Sequence, residues 1–243
     1  MRILLIQSRR DKTVADHEVA CFAQHTGLRA DQMTQWNLVN GAPRWEDVQA
    51  HDAILIGGSG EFLLSDGDLA KEVEDLGVMI RKAKEQGMPV LGICFGAQIL
   101  TQALGGEVKR GVQETGCFEM TKEPLAQQCP LLSERPETFH VQLAHKDHLL
   151  LPEGAYNLAS TELAEVQLYT FEDAPVYAML YHSELDHKAM EWRMRHYAKQ
   201  YGFTEASIRE YLSKAPDTSD SHMSLRLFFE HVVIKGRRFK VEP

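Results

Sequence analysis

Cysteine is scarce in this sequence, with four residues in a chain of 243, and none of the four stands at the spacing of a metal-binding cluster. Disulfide frameworks are typical of small secreted domains, which cannot build a large hydrophobic core. A chain of this length with 44% hydrophobic residues can bury one sizeable core without such cross-links. We therefore expect free thiols, and one of them can serve as a reactive nucleophile.

Long apolar runs are also missing. The apolar segment near the N-terminus extends only from Ile3 to Ile6, which is shorter than the core of a signal peptide or a membrane span. Basic residues are outnumbered, because 26 Lys and Arg stand against 35 Asp and Glu and give a net charge of -9. Such a chain repels a phosphate backbone overall. These deficits predict a cytoplasmic protein that binds neither membranes nor nucleic acid.

Short apolar runs alternate with helical patterns in the first half of the chain. The runs at residues 2–6, 52–56 and 90–93 are continuous, as in strands buried on both faces of a parallel sheet. Before the third run, apolar residues from Leu69 to Ala83 recur at helical spacing. The alternation predicts an α/β fold, a three-layer sandwich with a central, mostly parallel sheet of the flavodoxin-like kind.

The second half of the chain has a different pattern. Short strands are expected between residues 107 and 181, and some of them should pair antiparallel, which makes one edge of the sheet rich in strands. The pattern becomes helical beyond His187, without repeats or low-complexity linkers. We expect a single domain over residues 1–243. Its core at 1–185 should carry the chemistry, and a helical extension at 186–243 should pack on that core.

The segment Pro89–Gln98 is the most informative one, because Gly92, Cys94 and Gly96 form a G-x-C-x-G pattern in it. It joins a buried strand to a helix, as the serine nucleophile turn of many hydrolases does. The glycines relieve crowding around a strained residue, and the start of the helix favours a thiolate. The pattern indicates that Cys94 is a nucleophile. The alternative is a small buried residue between two glycines that permit close packing.

A histidine and a carboxylate follow another apolar strand. Residues 176–181 lead into His182 and Glu184, and the carboxyl ends of strands in an α/β sheet are where reactive side chains gather. His182 can act as the base for the thiol, and Glu184 can bond the far side of its ring. An H-x-E tripeptide alone is typical of a surface. After an apolar strand, and beside a nucleophile turn, it predicts a triad of Cys94, His182 and Glu184.

The Gly57-Gly58-Ser59-Gly60 loop follows a further strand and should lie at the same edge of the sheet. Its backbone amides can face the substrate, so we predict that Gly57 contacts the substrate. The amide of Gly58, together with that of Phe95 after the nucleophile, is the predicted oxyanion donor. The loop lacks the spacing of a dinucleotide fingerprint and the lysine of a phosphate-binding loop. No cofactor is therefore predicted.

Histidines are numerous, and His145 and His148 are three residues apart, as two ligands of one metal ion can be. No cysteine or carboxylate stands at an obvious ligand spacing beside them. A thiol mechanism also needs no metal ion. We therefore predict that the protein has no metal site.

These motifs resemble the class I glutamine amidotransferase family over about residues 1–185. The matching elements occur in the family's order: I-x-G-G at 56–58, G-x-C-x-G-x-Q at 92–98, H-G-D at 145–147, L-P-x-G at 151–154 and H-x-E at 182–184. Phe95, which follows the nucleophile, resembles stand-alone members similar to the amidotransferase domain of GMP synthase. Two positions depart from the family: Leu180 replaces its glutamine and Lys146 replaces the glycine of H-G-D.

The resemblance implies that the protein hydrolyses a γ-glutamyl amide, glutamine to glutamate and ammonia, through a thioester on Cys94. It also implies that Gln98 contacts the glutamyl substrate and that ammonia is passed to a separate synthetase subunit. Hydrolysis of γ-glutamyl peptides by the chain acting alone would use the same residues. A non-catalytic regulatory module is a third interpretation, which the intact triad opposes. A lipase-like hydrolase is disfavoured because His182 precedes Glu184 in the chain.

Overall fold

The computed structural model describes residues 1–241, so residues 242–243 of the predicted C-terminal extension lie outside the described residues. The strands are β1 (Ile3–Gln7), β2 (Met33–Asn37), β3 (Ala53–Ile56), β4 (Val90–Ile93), β5 (Glu107–Lys122), β6 (Thr138–Leu150), β7 (Ala155–Ser160), β8 (Leu168–Phe171) and β9 (Val176–Met179). The α-helices are α1 (Lys12–Thr26), α2 (Trp45–Val48), α3 (Ala70–Glu85), α4 (Phe95–Ala103), α5 (His187–His196), α6 (Ala198–Tyr201), α7 (Glu205–Lys214) and α8 (Ser219–Leu227).

Within residues 1–241 the strands form one sheet in the order β2-β1-β3-β4-β9-β8-β7-β5-β6. The first five strands of this order are parallel to one another. Every residue of β1, β3, β4 and β9 is buried, as the continuous apolar runs predict. The predicted α/β fold with parallel central strands is confirmed.

Two hydrophobic cores lie on the two faces of this parallel half, because successive side chains of a strand point to opposite faces. Ile3 and Leu5 of β1 belong to one core, which also takes in side chains of α1 and α8. Leu4 and Ile6 belong to the other core, which is built with α3 and α4. The sheet is therefore the middle of three layers, as predicted.

The other half of the sheet is the predicted strand-rich edge, in which β8, β7, β5 and β6 pair antiparallel. The first part of the region in which short strands are expected forms the single long strand β5. Its pairing with β6 shifts register between Arg110 and Glu114, which breaks the sequence pattern. The strand β7 was not expected, because its segment follows a turn and alternates poorly between apolar and polar residues.

The helices beyond His187 pack where the extension was expected. The helical pattern expected beyond His187 is interrupted at Tyr197, which ends α5 and precedes the short α6. The last helix, α8, continues as a π-helix over Phe228–Ile234. Among the described helices, none combines the length and the apolar character that crossing a bilayer requires.

Candidate active site

Four strand ends bring the site together. Arg9 lies two residues beyond β1, Gly58 two beyond β3, Cys94 directly after β4 and His182 three beyond β9. These parallel strands are neighbours in the sheet, so their carboxyl ends meet at one edge, where open α/β sheets bind ligands. The structure thus gathers the sequence motifs that lie far apart in the chain.

Cys94 occupies a strained turn between β4 and α4. Its backbone has φ 51° and ψ -106°, which few residues other than glycine adopt. Its amide donates a hydrogen bond to the carbonyl of Met179 in β9 (2.8 Å), and this bond ties the turn to the sheet. The Cys94 side chain therefore stands at the start of α4, where the helix dipole favours negative charge.

Glycines make this turn possible. A methyl group on Gly92 would lie 2.5 Å from the carbonyl oxygen of Gly96, and one on Gly96 would lie 2.2 Å from that of Ile56 in β3. Both contacts are with backbone atoms, which cannot swing aside as the end of a side chain can. The strand and the helix approach each other this closely only because both positions are glycine.

His182 is oriented by Glu184. The ring Nδ1 and the carboxylate Oε1 are 2.7 Å apart, and both side chains are buried. The amide of His182 donates to the carbonyl of Gln142 in β6 (2.9 Å), which fixes the backbone beside the ring. Since Nδ1 is used by the carboxylate, the other ring nitrogen remains available to Cys94, and both residues border Gly58.

The ionisation of His182 is set by three effects of different sign. Burial alone would lower the pKa of the ring, but the charges of Glu184 and Cys94 and the hydrogen bonds to both outweigh burial. Together these effects raise the pKa of His182 from 6.5 to about 10. The ring is therefore an imidazolium at neutral pH, able to donate a proton.

The glycine loop after β3 lies against this pair. A methyl group on Gly58 would be 3.1 Å from Cε1 of His182 and 3.5 Å from Cβ of Cys94. The amide of Gly57 donates to the carbonyl of Ile6 (2.9 Å), so this donor is used by the sheet. Gly58 is thus the loop residue at the reacting groups. Its predicted role as oxyanion donor, like that of Gly57 as substrate contact, is not decided by these contacts.

The two predicted residues of α4 are buried beside Cys94. Phe95 is the first residue of the helix, and its ring packs on that of Phe62 at 6.4 Å. Gln98 is one turn further on and only 3% exposed. Among residues 1–241, no donor is within hydrogen-bonding distance of its Oε1. A buried carbonyl oxygen without a partner is suited to receive a donor from a ligand.

A buried ion pair that was not predicted from the sequence supports the loop. Arg9 Nη2 is 2.6 Å from Glu18 Oε1, and both side chains are almost fully buried. A methyl group on Gly57 would meet Glu18 Oε1 at 2.6 Å. The carboxylate therefore packs directly on the glycine loop. The position of Arg9, just beyond a buried strand, is the one signal in the sequence that could have indicated it.

A cleft opens beside His182 and encloses about 460 Å³, counting the space open to solvent. Helix α5 and the segment after it supply nearly half of its lining residues, which are Met190, Arg193, Met194, Tyr197, Tyr201 and Phe203. These wall residues were not predicted, because α5 carries alternating charges that are typical of an exposed helix. The C-terminal helices therefore contribute to the site as well as to the core.

The histidine pair considered for a metal has a carboxylate nearby. Glu114 of β5 lies with His145 and His148 of β6, and their ligand atoms are within 4.8 Å of one another. Strand pairing supplies this neighbour, which sequence spacing could not show. Protein groups already contact these atoms: Thr161 and Gln167 donate to Glu114, and His148 Nε2 lies 2.8 Å from a backbone carbonyl oxygen. The cluster is explained as a buried polar network.

The two departures from the family pattern have local explanations. Leu180 is fully buried in one of the hydrophobic cores. Lys146 places its ammonium over the ring of Tyr201, 5.0 Å from the centroid, at the wall of the cleft. Asp147 accepts hydrogen bonds from the amide and hydroxyl of Ser65 (3.0 and 2.6 Å), which ties β6 to the loop before α3.

The four thiols have different surroundings. Burial raises the pKa of Cys21 and Cys129 to about 12 and that of Cys117 to about 11. These three remain protonated at neutral pH and are poor nucleophiles. Cys94 alone stands at a helix start beside a protonated histidine.

We therefore expect a glutamine-like electrophile to alkylate Cys94 at least about 10-fold faster than any other thiol, because only the thiolate reacts. Brief labelling at pH 7 followed by peptide mass spectrometry measures the four rates in one sample. Cys117, the most exposed of the three other thiols, is the internal control. Its preferential modification would contradict a special role for Cys94.

The chain is similar to known proteins in sequence and in structure. The family model Glutamine amidotransferase class-I matches residues 34–196. Gamma-glutamyl peptidase 4 of Arabidopsis thaliana is 29% identical over 158 residues, which are 63% of this chain and 62% of that protein. The glutamine-hydrolysing GMP synthase subunit of Archaeoglobus fulgidus is 28% identical over 164 residues, 67% of this chain and 82% of that one. The chain thus spans about three fifths of the plant peptidase.

A solved structure of similar fold is a glutamine amidotransferase from Thermotoga maritima. It superimposes with a TM-score of 0.75 at 20% identity and covers 96% of this chain and 98% of its own. At this identity the likeness concerns the fold alone, and it confirms the α/β architecture described above.

Proposed function

This chain belongs to the class I glutamine amidotransferase family, and we propose that it hydrolyses a γ-glutamyl amide with Cys94 as nucleophile. The observation that carries the proposal is the strained Cys94 in contact with a histidine that a buried carboxylate orients. A strained nucleophile at a strand-to-helix turn is the arrangement that hydrolases of this type use.

In the proposed first step the Cys94 sulfur attacks the γ-carbonyl carbon of the substrate. A C–S bond forms, and the negative charge on the carbonyl oxygen is stabilised by the amides of Gly58 and Phe95. The C–N bond then breaks, and the leaving nitrogen takes the proton of the His182 imidazolium. The products of this half are an amine, or ammonia from glutamine, and a γ-glutamyl thioester.

Water completes the reaction in the second step. His182, now neutral, removes a proton from the water as its oxygen attacks the thioester carbon. The C–S bond breaks, and glutamate leaves with the new C–O bond. Glu184 stays a carboxylate throughout and holds the ring in position. Gln98, whose side-chain oxygen lacks a partner among residues 1–241, is proposed to bind the amino group of the glutamyl part.

The direct test is the release of glutamate from glutamine and from γ-glutamyl peptides by the purified chain. We expect turnover without ATP, NAD or an added metal ion, because the proposed groups are a thiol, an imidazole and backbone amides. Activity should change by less than about 2-fold after treatment with EDTA, since no step uses a metal ion. Strict dependence on a nucleotide or on a divalent metal would contradict the proposal.

A pH profile tests the state of His182. Turnover should fall as the pH rises through about 10, because the ring then loses the proton that the leaving nitrogen needs. Glu184→Gln should move this fall to lower pH, toward 6.5, because the carboxylate is the main group that raises the pKa. At neutral pH the variant should keep more activity than His182→Ala, since Glu184 exchanges no proton with the substrate.

The control for the pH profile is Glu191→Gln, which removes a carboxylate of α5 that pairs with Arg195. In this variant, turnover should fall at the same alkaline pH as in the unmodified enzyme. A fall at that same pH in Glu184→Gln, or a largely active His182→Ala beside an inactive Glu184→Gln, would reverse the proposed roles.

A second candidate function is the hydrolysis of γ-glutamyl peptides by the chain acting alone. It is favoured by the cleft beside His182, which is larger than ammonia requires. If the substrate is instead glutamine, a separate synthetase subunit is the proposed acceptor of ammonia, since several relatives are named as single subunits of GMP synthase. We further propose that residues 1–185 hold the reacting groups and that the helices beyond them form the leaving-group side of the same domain.

A further inference from the structure

The cleft lies on the side of the site from which the leaving group departs. His182 gives its proton to the leaving nitrogen in the proposed mechanism, and His182 is one of the residues that line the cleft. Ala144, whose carbonyl oxygen is 3.8 Å from the Cys94 sulfur, lines it too. Gln98, proposed to bind the glutamyl part, is not among the lining residues. The cleft therefore lies on the side of the group that is attached to the leaving nitrogen of the substrate.

Arg193 is a buried cation that lines this cleft. Arg193 is only 7% exposed, and its Nε donates a hydrogen bond to His17 Nδ1 (3.1 Å). Burial and the guanidinium of Arg193 lower the pKa of His17 to about 4, so that ring is neutral and supplies no charge. Within residues 1–241, no hydrogen-bond partner reaches Nη2 of Arg193, and no carboxylate forms an ion pair with it.

The carboxylates near this cation are bonded to other groups. Arg9 also lines the cleft, and Glu18 is its ion-pair partner. Glu184 is bonded to His182. Burial and the charge of Arg9 lower the pKa of Arg193, whereas the charges of Glu18 and Glu184 raise it. Within residues 1–241 these carboxylates still leave Nη2 of Arg193 without a hydrogen-bond partner. A buried guanidinium fork with a free Nη2 matches the geometry of a carboxylate.

The remaining walls are apolar. Leu185, Met190 and Met194 are almost fully buried, and the rings of Tyr201 and Phe203, which also line the cleft, stack at 5.8 Å. Methionine and aromatic side chains suit a bulky apolar group of variable shape. Ammonia would contact neither these walls nor the Arg193 guanidinium.

We propose that this cleft binds the leaving amino acid of a γ-glutamyl dipeptide, with its large apolar side chain against the methionines and its free carboxylate on Arg193. The inference rests on the proposed function and names its substrate class. The bond that breaks is the γ-glutamyl C–N bond, and the apolar amino acid leaves with the proton from His182.

The first experiment compares kcat/KM of the unmodified enzyme for four substrates: γ-glutamyl-phenylalanine, γ-glutamyl-phenylalaninamide, γ-glutamyl-glycine and glutamine. The kcat/KM for γ-glutamyl-phenylalanine should be about 10-fold or more above that for its amide, which is what a hydrogen bond to a charged group contributes. This kcat/KM should also be about 10-fold or more above that for γ-glutamyl-glycine, because only the aromatic side chain packs against the apolar walls. Glutamine should be the poorest of the four.

The second experiment uses Arg193→Gln, which removes the charge but keeps a donor for His17. In this variant the kcat/KM values for γ-glutamyl-phenylalanine and for its amide should differ by less than about 2-fold. Arg195→Gln is the matched control, because Arg195 lies two residues on in α5 and is paired with Glu191 and Glu205 outside the cleft. Its preference should equal that of the unmodified enzyme. Thermal unfolding of both variants checks that they are folded.

Failure of the inference and failure of the proposed function give different results. If none of the four substrates is cleaved, the proposed function is wrong. If glutamine is cleaved as well as the peptides, or if the amide equals the free acid, the function stands and the inference is overturned. If Arg193→Gln weakens all four substrates equally, Arg193 binds the glutamyl carboxylate instead. The comparison in the unmodified enzyme decides the matter even if Arg193→Gln does not fold.

Discussion

Replacing Cys94 by serine is expected to lower kcat for γ-glutamyl amide hydrolysis by about 10⁴-fold or more. Removing one member of a unit of nucleophile and base costs nearly as much as removing the whole unit. A serine hydroxyl at this position is far less acidic than a thiol, so it supplies almost no anionic nucleophile at neutral pH. The measurement is glutamate release under saturating substrate, with the detection limit established on a no-enzyme reaction.

Cys117→Ser serves as the matched control for this prediction. It exchanges the same atoms on β5, where burial raises the pKa of the thiol to about 11, and it should retain activity within about 2-fold. Circular dichroism and thermal unfolding should show both variants folded, since sulfur and oxygen differ little in volume. A Cys94→Ser enzyme that keeps a tenth of its activity would contradict this prediction.

The meeting of the proposed reacting groups at one edge was predictable because each of them is indicated by local sequence. A parallel strand buried on both faces is a continuous apolar run, and the fold brings the carboxyl ends of such strands together. Cys94 and His182 each follow such a run, and Gly58 follows another. Knowing that the strands are parallel was therefore enough to expect these residues at one edge.

Other parts of the site depend on contacts that no local pattern records. Glu114 reaches His145 only because β5 and β6 pair in one particular register. Arg193 enters the cleft because α5 packs beside the edge of the sheet, and its helix has the sequence pattern of any charged surface helix. Burial of a charged residue is decided by tertiary packing, which overrides the preference of an arginine for water.

Replacing Gly96 by alanine is expected to be the most destabilising conservative change in the turn. The added methyl group would lie 2.2 Å from the carbonyl oxygen of Ile56, a backbone atom in the central strand β3. Neither α4 nor β3 can yield without disturbing the two cores, so we expect the free energy of unfolding to fall by about 3 kcal/mol or more. Urea denaturation followed by circular dichroism measures this change.

Activity should fall together with stability in Gly96→Ala, even in the folded fraction. Moving α4 away from β3 would displace Cys94 relative to His182, and a shift of about 1 Å can cost on the order of 100-fold in rate. The rate per folded molecule, obtained by titrating active thiols with the electrophile, separates this effect from simple unfolding.

Gly77→Ala in α3 is the control that makes the prediction specific to the turn. There an added methyl group would meet the flexible end of Arg81 at 3.3 Å and the methyl of Ala103 at 3.4 Å, so small movements accommodate it. Alanine also favours the helix over glycine by about 1 kcal/mol, and stability should therefore stay within about 1 kcal/mol of the unmodified protein. Equal stability of Gly96→Ala and Gly77→Ala would show that α4 does not approach β3 this closely, and the strained turn that presents Cys94 would then lose its physical basis.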